Sequence, residues 1–307
     1  MDFDQIRAFI NVASLRSFSA AAEKLFISQP SISVRIKALE EELGVVLLDR
    51  STGREPTLTE AGRLFLDYAQ SIVNLEDECR EKLSGQLESA GGLVHVGAST
   101  VPGTYLLPFL LAEFKQKKEM IDYNIDILDT SAVIEGVLNY SFEIGFVGLI
   151  DQDERLQYNE LFEDELMLCT AKGLFGSTPQ EGGLLLADCF NHYLLVREKG
   201  SATRRLLERK LDEKGLDFSC FKGITYFNSL EGIKQAVRAG LGIAIVSKLS
   251  VEDMVNSGQV DTYTIRDLDM KRTLYMVYHR HRILNAAARR LRDFVIERCS
   301  KQEMPDL

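Results

Sequence analysis

Three stretches of the chain collect residue types that could bind something. Residues 28–37 read SQPSISVRIK, where three serine hydroxyls, a glutamine and two cations interrupt an apolar row. The stretch VGASTVPGTYLLP sets Ser99 and Thr100 just after an apolar run, and VREKGSATRRLLE sets Gly200, Ser201 and Thr203 beside Arg197 and Arg204. Hydroxyls and free backbone N–H groups where a strand gives way to a helix can cradle an anion. Taken singly, each of the last two stretches is equally what a helix cap without a ligand looks like.

Catalytic and metal chemistry have less to work with. His279 and His281, two of four histidines, occupy alternate positions near the chain end and read as a surface stripe. The five cysteines, Cys79, Cys169, Cys189, Cys220 and Cys299, are odd in number, widely spaced and form no C-x-x-C pair. That pattern argues against a disulfide framework or a structural zinc site and for small core hydrophobes. No G-x-S-x-G, H-E-x-x-H, P-loop or G-x-G-x-x-G occurs, so neither an α/β enzyme nor a bound cofactor is expected.

The elements that would position these residues follow from apolar spacing. Ile6, Phe9, Ile10 and Ala13 share one helical face, and Phe18, Ala21, Ala22 and Leu25 share a second. Ile32, Ile36, Leu39 and Leu43 line the inner face of a third helix. Ser28 is a good N-cap for it, and proline is tolerated in a first turn because its missing N–H would have had no partner there. Pro30, Ser31, Ser33, Val34 and Lys37 then point outward, with Gln29 and Arg35 on the flanks. Helix, short turn and helix with an outward row of short polar side chains lets a helix enter the major groove of DNA. A solvated face of a small helical domain would show the same periodicity. Two extended runs around STGRE suggest a hairpin wing, from which Arg50 and Arg54 could reach phosphates or a minor groove.

A long helix follows, capped by Thr59. Ala61, Phe65, Tyr68, Ile72, Leu75 and Cys79 recur at steps of four and three, a heptad-like seam with no evident partner in the chain, so a self-paired dimer is expected. After Gly91-Gly92 the pattern changes to alternating strands and helices: LVHVGAS, YNIDILDT, FEIGFVG, RLQYNELF, ELMLCTA, HYLLV, FKGITYF, GIAIVS and TLYMVYHR read as strands. Helices are expected near 105–117, 131–138, 202–214, 229–239 and 285–298. Two α/β halves of this sort enclose a cleft, and ligands sit at the carboxyl ends of the strands.

The length, 307 residues, suits two or three domains, with 45% hydrophobic and 27% charged residues. A net charge of −10 argues against a protein that coats nucleic acid indiscriminately, while permitting a small local DNA-reading surface. No basic n-region and no apolar run of roughly eighteen residues is present, so a cytoplasmic protein without membrane contact is expected.

The block SFSAAAEKLFISQPSISVRIKALEEELGVVLLDRSTGREPTLTEAG resembles the winged helix-turn-helix of the LysR-type bacterial transcriptional regulators. The whole chain follows that family's plan. The resemblance implies a winged helix-turn-helix over 1–58 and a linker and dimerisation helix over 59–90. It implies an α/β domain over 91–307, similar to periplasmic binding proteins, with subdomains at about 91–163 plus 268–307 and 164–267. Promoter DNA, a small anionic or oxyanion effector and further copies of the chain, as a dimer of dimers, are the implied partners. Ser99, Thr100, Gly200, Ser201 and Thr203 match the loops that line the family's effector pocket, and Val147, Gly148 and Ser229 lie at strand ends the plan places nearby. Many members carry arginine where this chain has Val34, so Val34 could instead meet a thymine methyl. GASTVPGTYLLP, REKGSATRR and YHRHRILNAAARR look most like the branch found alongside selenium and sulfur metabolism. The alternative within the same fold is a thiol sensor pairing Cys189 with Cys220.

Overall fold

The computed structural model describes residues 1–49, 55–83, 92–117, 121–176 and 183–299. It begins with three helices, α1 (Phe3–Leu15), α2 (Phe18–Lys24) and α3 (Gln29–Leu43). Each starts on a residue whose side chain accepts a backbone N–H: Asp2, Ser17 and Ser28. Ile6, Phe9, Val12, Ala21, Ala22, Ile32, Ile36 and Leu39 close the core between them. Leu43, expected on the inner face, is one-third exposed, because the helix stops at Gly44, which takes the left-handed conformation at φ +68°.

Strands β1 (Leu48–Asp49) and β2 (Thr57–Leu58) pair antiparallel as the base of a wing. Helix α4 (Glu60–Leu83) leaves it at Gly62, where a Cβ would lie 2.0 Å from the carbonyl oxygen of Leu47. No helix among the described residues is long and apolar enough to cross a membrane.

The rest of the chain builds one sheet and its covering helices. Its strands are β3 (Leu93–Ser99), β4 (Asp122–Leu128), β5 (Ile144–Val147), β6 (Leu156–Ala171), β7 (Tyr193–Arg197), β8 (Gly223–Phe227), β9 (Ile243–Ser247), β10 (Val260–Tyr263) and β11 (Lys271–His279). The order is β4-β3-β5-β11-β6-β9-β7-β8, with β10 added on β6. β3 runs parallel to β4 and β5, and β7 runs parallel to β8 and β9. Helices α5 (Leu107–Gln116), α6 (Thr130–Leu138), α7 (Ala202–Asp212), α8 (Leu230–Arg238), α9 (Glu252–Asn256) and α10 (Ala286–Cys299) pack around them.

Two local readings of the sequence change here. RLQYNELF and ELMLCTA are one continuous 16-residue strand, β6, because Glu163 and Asp164 between them stay extended and pair with Thr273 and Arg272 of β11. It pairs with β11 as far as Glu165, then with β9 and β10 from Leu166 onward, and so runs through both halves. The helix expected from Tyr105 begins earlier, with a wide π turn over Pro102–Leu106. Pro108 has no N–H to give to the carbonyl four residues back, and such a turn removes the demand for one.

The α/β region also touches the N-terminal helices of its own chain. Tyr140, at φ +64°, packs into their core, and its hydroxyl donates to Asp67 of α4 at 2.6 Å. Arg16, the C-cap of α1, pairs with Glu135 of α6 at 3.0 Å.

Candidate DNA-reading helix and ligand cleft

Pro30 is the second residue of α3, and the hydroxyl of Ser28 accepts the Ser31 N–H at 3.3 Å. Gln29, Pro30, Val34 and Lys37 are exposed, Val34 to 67%, while Ser31, Ser33 and Arg35 are half-buried along the same face. Both cations hold surface partners: Arg35 meets Asp4 at 2.9 Å and Lys37 meets Glu41 at 3.5 Å. Exposed pairs of this kind are worth at most about 1 kcal/mol, so phosphates can displace them. Phe26 joins this surface without having been singled out in the sequence. It is 95% exposed and holds φ +55° in the turn before α3. Aromatic residues rarely take that conformation or that exposure. Arg50 and Arg54 lie outside the described residues.

The expected seam of α4 divides. Phe65 and Ile72 are half-buried against the N-terminal core, with the Phe65 ring 5.3 Å from Phe9. Tyr68, Leu75 and Cys79 are exposed and are joined by Leu64, at 62%. The sequence reading found no partner for this helix, but Leu66, Ala69 and Val73 bury a second stripe inside the chain. Two stripes share one helix, so a single heptad row blends them.

The cleft lies where the strand ends of the two halves face each other. It has two adjoining spaces. A niche of about 20 Å³ is bounded by Ser99, Thr100, Asp129, Thr130, Arg197, Ser201, Thr203 and Arg272. A chamber of about 400 Å³ opens beside it, walled by Thr100, Thr104, Tyr105, Asp129, Arg197, Glu198, Asn228, Ser229 and Glu231. Ser201 opens α7 without using its hydroxyl as a cap, whereas the Ser229 hydroxyl accepts the Gly232 N–H at 3.2 Å.

Arg197 Nη2 reaches across to donate to the Thr100 hydroxyl at 3.2 Å, and Arg205 donates to the Ser131 hydroxyl, so bonds bridge the halves. Gly200 gives Asp129 its room, since a Cβ there would sit 2.3 Å from the carboxylate. Val147 corrects an expectation: it is fully buried among Val133, Val137 and Val277 and lines neither space, because its pleat position faces α6. Gly148 lies behind the niche, where a Cβ would meet the Arg272 guanidinium at 3.1 Å.

Arg272, Asp129, Glu198 and Glu231 carry no local pattern and were not legible as site residues. Arg272 is held by a buried carboxylate: Nε donates to Asp164 Oδ2 at 2.8 Å, and Asp164 Oδ1 accepts from the Ser247 hydroxyl at 2.6 Å. Arg272 Nη1 donates to the Thr203 hydroxyl at 3.1 Å. Nη2 lies 2.7 Å from the same Asp164 oxygen, off the hydrogen-bond direction, and its N–H groups find no acceptor.

The remaining candidates are the cysteines and histidines. Burial pushes the Cys189 thiol up to about 12, with Asp188 adding to it, and burial also raises Cys220. A sensing thiol needs the opposite, a stabilised thiolate. His279 is no surface residue. It is fully buried at the end of β11, its ring 4.7 Å from that of Tyr140. Burial pulls its pKa down to about 4, Asp67 opposing and Arg155 adding. No group of three or more His, Cys, Asp or Glu able to hold a metal occurs among the described residues.

A winged helix-turn-helix carried on a long helix, joined to a two-lobed domain with a ligand cleft, defines a ligand-responsive DNA-binding regulator. Residues 3–63 match the bacterial regulatory helix-turn-helix protein, lysR family, and residues 88–300 match the LysR substrate binding domain. The chain belongs to the LysR family of transcriptional regulators, which are not enzymes. A probable RuBisCO transcriptional regulator of Thalassiosira pseudonana is 34% identical over 276 residues, spanning 89% of this chain and 90% of that protein. Full-length OxyR from Pseudomonas aeruginosa has the same fold, with a TM-score of 0.70 and 20% identity over 97% of this chain and 94% of that one. Full-length LysG from Corynebacterium glutamicum with bound effector Arg has a TM-score of 0.68 at 20% identity, covering 98% and 99%.

Proposed function

We propose that this regulator reads promoter DNA from the cytoplasm through the outward face of α3 and answers to a small molecule bearing an anionic group in the cleft. Gln29, Pro30, Ser31, Ser33 and Val34 approach base edges, and Arg35, Lys37, Arg50 and Arg54 hold phosphates. The wing closes the DNA-binding domain at about residue 58, the linker helix occupies 59–90, and the remainder is the effector domain. Its two subdomains, 91–163 with 268–307 and 164–267, exchange at the β6 and β11 crossings. The exposed stripe of Leu64, Tyr68, Leu75 and Cys79, with Phe65 and Ile72 at its border, pairs two copies, and further self-association makes a dimer of dimers.

The observation that carries this reading is the outer face of α3, where small side chains and the exposed Val34 stand over the first turn of a helix whose inner face is fully buried. The test is binding to specific and random duplexes across a salt series. Lys37→Ala is expected to weaken both and to lower the salt slope by about 1, whereas Ser33→Ala shifts sequence preference with the slope unchanged. Equal losses on both DNAs for both variants would refute the assignment.

A further inference from the structure

The two spaces of the cleft differ in size and in charge. The niche, at about 20 Å³, has room for one water-sized group. That is the space of one carboxylate oxygen. Its walls set two buried guanidinium groups, Arg197 and Arg272, against one carboxylate, Asp129, among the hydroxyls of Ser99, Ser201 and Thr203. Arg272, with only 7% of its side chain exposed, is fixed in that wall by its ion pair with Asp164 at 2.7 Å and by its bond to the Thr203 hydroxyl at 3.1 Å.

The chamber has the opposite bias. Three carboxylates, Asp129, Glu198 and Glu231, stand in its wall against one cation, Arg197. That cation is already engaged, because its Nε and Nη2 donate to Glu198 at 2.8 and 2.6 Å. Lys234, outside the chamber wall, lies 3.3 Å from Glu231, leaving Asp129 without a cationic partner in the wall. A dianion lying along the cleft would place its second charge against this acidic surface.

We infer that the effector is a small zwitterion. Its carboxylate sets one oxygen into the niche against the hydroxyls and the Arg197 and Arg272 guanidinium groups, and its ammonium or guanidinium group lies in the chamber facing Asp129, Glu198 and Glu231. Thr100, Asp129 and Arg197 border both spaces, so a molecule of amino-acid size bridges them. This inference rests on the cleft being the effector site and adds the chemical class of the ligand.

The test is titration calorimetry of the full chain against the twenty common L-amino acids, succinate, malonate, sulfate and phosphate. At least one amino acid is expected to bind more tightly than any of the four anions. Glu198→Gln, which frees Arg197, is expected to weaken that amino acid about tenfold, the effect of losing one charge pair of about 1.4 kcal/mol, and to strengthen succinate. Ser201→Ala, which alters only the niche, is expected to weaken the amino acid and leave the melting temperature in place. Tighter binding of succinate or sulfate by the unaltered protein overturns the zwitterion while sparing the cleft as effector site. Binding of none of the probes overturns both.

Discussion

Replacing Arg272 by methionine should be among the most damaging single changes in the effector domain. Asp164 is completely buried, and its carboxylate has two donors, Arg272 Nε at 2.8 Å and the Ser247 hydroxyl at 2.6 Å. Arg272→Met removes the cation and leaves a buried carboxylate with one neutral donor. Stranding one member of a buried pair costs about 3–5 kcal/mol. Loss of the bond to Thr203 adds about 1 kcal/mol. The double variant Asp164→Asn/Arg272→Met removes both charges while the amide oxygen can still accept from Ser247, so it should be more stable than Arg272→Met alone by about 2 kcal/mol. Urea unfolding followed by far-UV circular dichroism, taking the effector-domain transition of the full chain, measures Arg272→Met, Asp164→Asn and the double variant. A loss below about 1 kcal/mol for Arg272→Met, or a double variant as unstable as the summed single changes, would show that the pair is not the buried unit described.

Acid should act first at the contact between the linker helix and the effector domain. Burial holds His279 near pKa 4, against about 6.5 when unfolded. Its contribution to stability is therefore complete above pH 6.5 and is lost as pH falls toward 4, at up to about 1.4 kcal/mol per pH unit. His279→Asn should flatten the dependence of the urea midpoint between pH 7 and 5, and an unchanged slope would remove His279 as its source. Gly62→Ala adds a residue that ordinarily favours helix by about 1 kcal/mol. Here the methyl meets the Leu47 carbonyl at 2.0 Å, and that oxygen is fixed by the Thr59 N–H at 3.0 Å. A net loss of about 1–3 kcal/mol is expected, read as a lower melting temperature; a gain would mean the wing moves aside freely.

How much of this was legible before folding depends on the reach of each interaction. The start of α3 is a local matter. Ser28, Pro30 and the spacing of Ile32, Ile36 and Leu39 act within a few residues of one another, so their order along the chain determines both the helix and the side it turns outward. The cleft-lining loops at Ser99 and Ser201 are legible for the same reason, as hydroxyls following strands. Arg272 and Asp164, by contrast, lie 108 residues apart, and Tyr140 and Asp67 lie 73 apart. Nothing in their neighbourhoods marks them.

The sequence by itself determined the helix-turn-helix, the α/β alternation and the two loops that face the cleft, because periodicity and capping are properties of adjacent residues. Only the tertiary structure decided that α4 buries one apolar stripe inside its own chain and leaves another outside, that β6 is one strand serving two halves, and that Arg272 lines the cleft's niche while Glu198 and Glu231 line its chamber. Those outcomes depend on which surfaces meet, and a charge or a methyl group has a different meaning once water has been replaced by a neighbour from a distant part of the chain.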